Sequence, residues 1–407
     1  MAPGFTVTRL AWTDQPLGGI DLPRARLEMM AGFGSGLTRR AGDAPEILWA
    51  VGDRGPNLKV DVAFDLYGLR VDGPRQAIDD AKIMPRPDIG PALAELRLTG
   101  DAVELVRTLP IRSASGRAIS GLPGPGSMHA VTEPALDLAG NLIAPDPSGA
   151  DSEGIVALAD GGFIVGDEYG PSLMRLDADA TVIERWVPHG TEAGFAGADY
   201  PVRAVLPAIA VTRRLNRGFE GLALSPDGKR LHLAFQSPLA HPDERAHRRA
   251  RHVRIWTLDT ATGAVEAQYL YPFDPPESFV RDEGAKWRDI KISEIVALAD
   301  GSLLVLERVS ATTKIYRVAL TTPLPPEHLD IATRPTLEEL SADGLDLPVL
   351  AKTLILDTGA VPEIGADLEG MVVLSPHDLL LVNDNDFGCE GVSTGFWRVY
   401  FDHAIFA

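Results

Sequence analysis

The chain has 407 residues, 45% of them hydrophobic, with 40 glycines and 32 prolines spread along it, a composition that suits a folded protein with a sizeable core and many turns. Its formal net charge of −19 disfavours nucleic acid and anionic membrane surfaces as partners, because phosphate groups are bound by Lys and Arg. The single cysteine, Cys389, excludes an intrachain disulfide and a cysteine zinc cluster.

The N-terminal segment predicts a strand and shows no export signal. Phe5–Leu10 alternates in polarity as a strand does, and residues 1–10 lack the charged-then-apolar pattern of a signal peptide. No apolar run of about 18 residues predicts a transmembrane helix. Two alternatives remain open, a cytoplasmic protein and a mature chain whose signal has been removed.

One unit then recurs along the chain: a small or acidic residue, an apolar run, a turn, a second apolar run and a polar cluster. Its copies lie at residues 34–37 with 46–55, 151–158 with 161–169, 219–224 with 230–236, 293–298 with 302–308, and 368–374 with 378–386. Further strand-like runs follow, such as residues 172–177 and 182–187. Four short strands per repeat are typical of a propeller blade.

The repeats predict an all-β fold, a single β-propeller domain over residues 1–407. Five four-stranded repeats are clear, and a sixth, irregular blade is possible within residues 56–150. We expect Phe5–Leu10 to complete the last blade and close the ring, which removes exposed sheet edges. Residues 113–150 are rich in Gly, Pro and Ser and predict a long loop insertion over one face.

Two columns of polar residues recur in register with the repeats. The first holds Glu153, Glu220, Glu294 and Glu369, with Ser35 in the first copy. Because the first strand of a blade lines the central channel, we expect these glutamates to converge at one mouth. The alternative is a capping position whose carboxylates accept hydrogen bonds from backbone N–H groups. The second column, about fourteen residues later, consists of Asp53-Arg54, Asp167-Glu168, Gln236, Glu307-Arg308 and residues 383–386.

The two columns offer many oxygen ligands and no soft ones, which favours Ca²⁺ over zinc or copper. Close carboxylates also disfavour full ionisation unless a cation is present. The predicted calcium ligands are Glu153, Glu220, Glu294, Glu369, Asp53, Asp384 and Asp386.

The second column also supplies candidates for catalysis. Asp167, Glu168 and Glu307 are candidate general bases, and Arg54 and Arg308 are candidates to stabilise developing charge. The candidate substrate-binding residues are Arg217, Tyr169 and Gln236. For the arginines the alternative is a structural pair with a neighbouring acid, and for Tyr169 it is packing. The sequence has no Gly-x-Ser-x-Gly elbow, which disfavours a serine hydrolase.

Several of these segments, in this order, resemble the phytase-like ("esterase-like activity of phytase") family. They are residues 146–155, 166–173, 216–221, 292–295 with 306–308, and 368–370. The resemblance implies a propeller that is periplasmic or secreted, with hydrolytic activity on phosphate esters or simple esters. The chain departs from the family in lacking a visible export signal and in placing Ser35 where a ring carboxylate is expected.

Three functional hypotheses follow. The first is a Ca²⁺-dependent hydrolase, expected to be a monomer, acting on a small phosphate ester or other ester. The second is a lactonase-like, metal-dependent propeller enzyme with a neutral substrate. The third is a non-catalytic binding propeller whose calcium is structural.

Overall fold

The structure, a computed structural model, describes residues 4–71, 81–125, 132–343 and 346–406. In chain order the strands are β1 (Phe5–Leu10), β2 (Pro16–Asp21), β3 (Arg26–Met30), β4 (Gly36–Thr38), β5 (Ile47–Val51), β6 (Leu58–Lys59), β7 (Lys82–Ile83), β8 (Ala92–Thr99), β9 (Ala102–Pro110), β10 (Ala135–Leu136), β11 (Ser152–Ala157), β12 (Phe163–Asp167) and β13 (Ser172–Leu176). They continue with β14 (Val182–Pro188), β15 (Val202–Leu206), β16 (Phe219–Leu224), β17 (Arg230–Phe235), β18 (His252–Asp259), β19 (Val265–Pro272), β20 (Lys291–Ala297), β21 (Leu303–Arg308), β22 (Thr313–Val318), β23 (Lys352–Asp357), β24 (Leu368–Ser375), β25 (Asp378–Asn383) and β26 (Phe396–Phe401).

Helices are few and short. They are α1 (Val60–Tyr67), α2 (Glu244–Arg249) and α3 (Leu337–Asp343), with 3-10 turns at Glu192–Phe195, Ala208–Thr212, Pro276–Ser278, Trp287–Asp289, Pro326–Leu329, Thr358–Ala360 and Asp386–Gly388. The prediction of a mostly β chain is confirmed. Within the described ranges, every helix is too short or too polar to cross a bilayer.

Five sheets of four or five strands carry the repeats. Sheet 1 is β4-β5-β8-β9, sheet 2 is β11-β12-β13-β14-β15, sheet 3 is β16-β17-β18-β19, sheet 4 is β20-β21-β22-β23, and sheet 5 is β24-β25-β26-β1. Neighbouring strands run antiparallel, except that β15 is parallel to β14. Two small sheets, β2-β3 and β6-β7-β10, are separate from these five.

The repeated unit folds as a hairpin because its turn residues suit a tight reversal. Gly161 (φ +89°) and Gly301 (φ +83°) adopt left-handed backbone that glycine tolerates without strain. The preceding Asp160 and Asp300 accept hydrogen bonds from N–H groups two residues on, at 3.0 Å each. The apolar run after each turn then forms a buried second strand, such as β12 and β21.

The apolar core lies between neighbouring sheets. Large clusters join sheets 1 and 2, sheets 2 to 4, sheets 4 and 5, and sheets 5 and 1. Trp49 of sheet 1, for example, packs on Phe163 of sheet 2 with ring centroids 5.0 Å apart, a favourable tilted geometry. The sheets are therefore held face to face.

The first strands of the five sheets lie side by side. β4 contacts β11, β11 contacts β16, β16 contacts β20, β20 contacts β24, and β24 contacts β4. A cavity of about 370 Å³ is lined by residues from all five strands: Leu37, Val156, Leu222, Ile295 and Val372 among them. Each first strand thus contacts two other first strands.

Glycine permits this close approach. A Cβ on Gly154 would lie 2.2 Å from the carbonyl oxygen of Glu220, and one on Gly221 would lie 2.8 Å from the backbone nitrogen of Ile295. Both contacts are with backbone of the next first strand, which no side-chain rotation can relieve. The Glu-Gly pairs of the repeat therefore have a packing reason for the glycine.

The N-terminal strand joins the last sheet. β1 pairs with β26 from Phe5 opposite Phe401 to Leu10 opposite Phe396. In residues 56–71, 81–125 and 132–150, where a sixth blade was considered, the strands belong either to sheet 1 or to the small sheet β6-β7-β10. These described ranges contain no further four-stranded sheet.

Part of the predicted loop at residues 113–150 is described, and residues 126–131 lie outside the described residues. Its first part lies against the ends of sheets 1 and 2, where the carbonyl oxygen of Gly121 accepts a hydrogen bond from the Tyr169 hydroxyl at 3.0 Å. Its later part forms β10, which pairs with β7. That the insertion is one loop over one face stays a prediction.

Candidate functional site

Each glutamate of the first column lies at a β-bulge at the start of a first strand. The register of β11 with β12, β16 with β17, β20 with β21 and β24 with β25 shifts at this point, with one extra residue on the first strand. The shifts in β11, β16 and β24 include Glu153, Glu220 and Glu369, and the shift in β20 lies directly before Glu294. A bulge changes the direction in which a side chain points. Here a bulge recurs in four sheets at the same end of the first strand. We call this end, which carries Glu153, Glu220, Glu294 and Glu369, the acidic mouth.

Three of these carboxylates share one electrostatic environment. Burial raises the pKa of Glu153, and Glu220 and Asp151 raise it further. Burial also raises the pKa of Glu220, followed by the charges of Glu168 and Glu369. Glu369 has a pKa of about 6, raised by burial against the opposing charges of Arg308 and Lys291. These mutual effects place Glu153, Glu220 and Glu369 together.

Glu294 is held differently. Its carboxylate accepts hydrogen bonds from the backbone N–H of Leu37 at 3.3 Å and of Ile295 at 3.0 Å. Leu37 belongs to sheet 1, so this side chain links sheet 4 to sheet 1. The capping alternative describes this position better than the predicted role as a calcium ligand.

Arg54 binds several carboxylates at the ends of sheets 1 and 2. Its guanidinium lies 2.6 Å from Asp151 Oδ2, 2.5 Å from Glu133 Oε2 and 3.3 Å from Asp53 Oδ1. It also donates to the Tyr169 hydroxyl at 3.1 Å and stacks on that ring with 4.7 Å to the centroid. Tyr169 therefore orients Arg54, and its hydroxyl is already engaged.

Arg308 has a comparable position at sheets 4 and 5. It forms an ion pair with Glu369, lies 2.8 Å from Asp367 Oδ1 and donates to Ser293 Oγ at 2.9 Å. Like Arg54, it is buried and bonded to carboxylates. The structural pairing considered from the sequence thus describes both arginines.

Alternation along the second strands separates the paired residues of the second column. Glu168 and Arg308 face the acidic mouth, whereas Asp167 and Glu307 point away from it between the sheets. Asp167 is fully buried and binds Arg185 at 2.6 Å, Ser172 Oγ at 2.8 Å and the backbone N–H of Asp151 at 2.9 Å. These contacts favour a structural role over the predicted role as general base.

Glu307, like Asp167, is held by several polar contacts within the protein. Its carboxylate binds Lys352 at 2.6 Å, the Tyr271 hydroxyl at 2.6 Å and the backbone N–H of Asp274 at 2.7 Å. Lys352 also lies 2.8 Å from Asp274 Oδ1. This network joins sheets 3 and 4 away from the acidic mouth, so the structure does not bring Glu307 to the other candidates.

Several oxygens at the acidic mouth are buried without a hydrogen-bond partner among the described residues. They are Oδ1 of Asp151, Oε1 of Glu168, Oε2 of Glu220 and Oδ1 of Asp384. The other oxygen of Glu220 accepts from Gln236 Nε2 at 2.6 Å, so Gln236 positions that carboxylate. Buried polar atoms left unpaired are costly, and such a cluster indicates a bound ion, water or ligand.

The last acidic cluster reaches the same place. Burial raises the pKa of Asp384, and Asp386, Glu369 and Asp53 raise it further. The intervening Asn385 faces away and donates to the carbonyl oxygen of Ala31 at 3.1 Å. The alternation thus brings Asp384 and Asp386 to the mouth from the loop after β25.

A triad of carboxylates fits a metal ion. Ligand oxygens from Asp53, Asp151 and Glu153 lie within 4.8 Å of one another, and all three residues are buried. Two of them are predicted ligands, whereas Asp151 was not identified. The donor set consists of hard oxygens, as Ca²⁺ prefers. Oδ1 of Asp151, which has no hydrogen-bond partner in the described ranges, is available to such an ion, so these residues fit it.

Other residues at the mouth were also missed. Glu133 lies in the irregular segment at residues 113–150, where the strand repeat is interrupted and no sequence pattern identifies the residue. Lys291 begins β20, opposite Arg308, and is partly buried. Burial and the charges of Arg308 and Arg217 lower the pKa of Lys291 to about 8. Asp151 has a detectable signal, because it lies two residues before Glu153 and two-residue spacing keeps side chains on one face.

Strained backbone is concentrated here. Asn216 (φ +54°), Asp367 (φ +49°), Asp386 (φ +47°) and Phe387 (φ +52°) adopt left-handed conformations that non-glycine residues rarely take. Asn216 accepts a hydrogen bond from Arg54, and Asp367 binds Arg308. Such outliers persist where surrounding contacts impose them, commonly at functional sites.

Comparisons with known proteins identify a family and a relative that this chain resembles. The model of the family described as "Phytase-like: Esterase-like activity of phytase" matches residues 29–387. An uncharacterized secreted protein of Arthroderma benhamiae is 26% identical over 381 residues, covering 82% of this chain and 70% of that protein.

Solved structures with similar chains include enzymes of several kinds. A gluconolactonase from Xanthomonas campestris is 11% identical with a TM-score of 0.37, covering 98% of this chain and 99% of that one. Virginiamycin B lyase from Staphylococcus aureus is 10% identical with a TM-score of 0.32, covering 98% and 100%. The family match extends from β3 to the cluster containing Asp384 and Asp386, and the chain therefore belongs to the phytase-like family, described by the esterase-like activity of phytase.

Proposed function

We propose that the five sheets are the blades of one closed, five-bladed propeller. The cyclic contacts among the first strands, the core between each pair of neighbouring sheets and the pairing of β1 with β26 support this. In this arrangement the acidic mouth is one end of the central channel.

We further propose that the protein is a Ca²⁺-dependent hydrolase of a small phosphate ester or other ester, with its active site at the acidic mouth. The observation that carries this is the buried triad of Asp53, Asp151 and Glu153, in which Oδ1 of Asp151 has no hydrogen-bond partner in the described part of the chain. Membership of the phytase-like family supports hydrolysis of an ester bond. The remaining ligands would come from Glu220, Glu369, Asp384 and Asp386.

A bound calcium ion would polarise the scissile group and lower the pKa of a water molecule. The chain's own residues have separate tasks. Glu168 is the best-placed general base, since it is buried at the mouth, burial raises its pKa, and its Oε1 is unpartnered. Arg54 and Arg308 hold the carboxylates in place, and Gln236 orients Glu220.

Location and assembly belong to the same proposal. The secreted relative from Arthroderma benhamiae supports secretion or export to the periplasm. We propose a monomer that binds a small-molecule ester, without nucleic acid or membrane insertion, as its strong negative charge favours.

The test combines a calcium assay with a panel of phosphate esters, carboxylic esters and lactones. We expect calcium to bind and a phosphate or carboxylic ester to be hydrolysed only in its presence. Turnover confined to lactones would favour the lactonase-like alternative. Lower thermal stability on chelation, with no turnover across the panel, would favour a binding propeller with structural calcium. If elemental analysis finds no metal and chelation changes nothing, the calcium proposal fails.

A further inference from the structure

The metal triad draws its ligands from two different sheets. Asp53 follows β5 of sheet 1, whereas Asp151 lies directly before β11 of sheet 2 and Glu153 lies within it. Three buried carboxylates this close together repel one another before an ion binds. Since calcium requires its oxygen ligands at about 2.3–2.6 Å, other contacts must hold the two sheet ends at the right separation.

One hydroxyl group links the two sheet ends. Ser152, between Asp151 and Glu153 in the sequence, donates through Oγ to the carbonyl oxygen of Gly52 at 2.6 Å. Gly52 directly precedes Asp53. Because Ser152 is fully buried, this hydrogen bond forms at low dielectric, where it is stronger than in water. The bond therefore fixes the spacing between the backbones that carry all three ligands.

A second contact fixes the backbone of Asp151. Asp167, which lies opposite Ser152 in the ladder of β11 and β12, accepts the N–H of Asp151 through Oδ1 at 2.9 Å. The N–H of Glu168 donates to the carbonyl oxygen of Asp151, also at 2.9 Å. The backbone of Asp151 is thus held on both sides, independently of its side chain.

Asp167 is itself held by a buried arginine, Arg185, which lies 2.6 Å from Asp167 Oδ2. Arg185 also donates to the carbonyl oxygen of Gly149 at 2.9 Å and to the Tyr200 hydroxyl at 2.7 Å. Tyr200 in turn donates to the carbonyl oxygen of Ser148 at 3.0 Å. Hydrogen bonds from a charged donor are short and strong, so the segment that leads into Asp151 is anchored along its length.

We propose that Ser152 and Asp167 are positioning residues that hold the metal triad in its ion-binding geometry before an ion binds. Neither side chain belongs to the triad, and each acts through backbone atoms within it or directly beside it. A site that is arranged in advance loses less conformational freedom on binding, which raises its affinity. This inference rests on the proposed calcium site and names residues that set its affinity.

The experiment compares Ser152→Ala with Ser302→Ala. Both variants lose a hydroxyl group and a hydrogen bond of 2.6 Å, but Ser302 donates to Asp300 in the turn between β20 and β21, away from the triad. Calorimetry at pH 7 measures calcium affinity, and mass spectrometry after chelation measures hydrogen exchange of residues 148–153. We expect Ser152→Ala to weaken calcium binding about tenfold or more, as loss of a residue that orients a metal ligand usually does, and to speed this exchange. Ser302→Ala should change neither quantity.

A purely structural role would lower the unfolding free energy of both variants and leave their calcium affinities equal, which would overturn the inference. If Ser152→Ala does not fold, Tyr200→Phe is the second variant. It removes the hydroxyl between Arg185 and Ser148 and should weaken calcium binding and speed the same exchange.

The two measurements separate this inference from the proposed function. Calcium binding that neither Ser152→Ala nor Tyr200→Phe alters refutes the positioning role alone. If the unmodified protein binds no calcium, the proposed function fails and the exchange of residues 148–153 decides by itself. Faster exchange in Ser152→Ala then supports the positioning role, and unchanged exchange refutes it.

Discussion

At the scale of single residues, Asp151 is a carboxylate whose ionised form is disfavoured by its surroundings. It is fully buried, and its Oδ2 lies 2.6 Å from the guanidinium of Arg54. Burial raises its pKa, partly offset by Arg54, while Asp53 and Glu168 raise it further. A bound cation would relieve this repulsion directly.

We therefore expect Asp151→Asn to weaken calcium binding by tenfold or more, because it removes one charge from the triad while keeping the side chain's size. The matched control is Asp179→Asn, on an exposed turn. Calcium affinity is measured by calorimetry, with circular dichroism to verify the fold. Equal calcium affinity for the two variants would contradict the assignment of Asp151 as a ligand.

The second column shows what a sequence pattern resolves at this scale. The pattern identified Asp167, Glu168, Glu307 and Arg308 as polar residues at the ends of second strands. Because successive side chains of a strand point to opposite faces, only one member of each pair reaches the mouth. The pattern alone does not say which member, since the partners that hold Asp167 and Glu307, Arg185 and Lys352, come from other strands.

At the scale of elements, the bulge and the glycine act together at three of the first strands, β11, β16 and β24. The bulge adds one residue at the glutamate, and the glycine after Glu153, Glu220 or Glu369 allows the neighbouring backbone to approach. The sequence predicted the glutamate column and its shared position. It did not predict the bulges, because an added residue becomes visible only against the partner strand's register.

Gly154→Ala should destabilise the protein by about 3 kcal/mol, the upper end of the usual cost of overpacking. The added methyl group would lie 2.2 Å from the carbonyl oxygen of Glu220 in the next strand. Gly170→Ala is the control, since its methyl group would lie 3.5 Å from the Phe195 ring, an ordinary contact. Denaturant unfolding of both variants measures the difference, and similar unfolding free energies would refute the proposed steric role.

At the scale of the whole molecule, the fold could be predicted further than the site. The repeat of strands and turns was sufficient to predict a mostly β chain and the pairing partner of Phe5–Leu10. The residues that complete the mouth, Glu133 and Lys291, belong to no repeated column. They meet the repeated residues only after the chain has folded, which is why periodicity did not identify them.

Removing residues 1–12 should destabilise sheet 5 and promote aggregation. The deletion leaves the edge of β26 without its partner and exposes its backbone groups. It also removes the buried Leu10, whose burial alone contributes about 1.5–3 kcal/mol. Thr8→Asp changes an exposed residue of the same strand and is the control. Thermal unfolding with light scattering compares them, and equal midpoints would contradict the role of β1 in holding the last sheet.

The same strand has a mechanical consequence. Phe5 pairs with Phe401, and the N–H of Asp402 donates to the carbonyl oxygen of Gly4 at 2.9 Å. Gly4 and Asp402 therefore lie at the same end of the β1–β26 pair. Force applied between Gly4 and Asp402 would load the hydrogen bonds of β1 and β26 one after another rather than all at once. The strand that completes sheet 5 would therefore separate from β26 residue by residue, starting at Phe5, under a small pulling force.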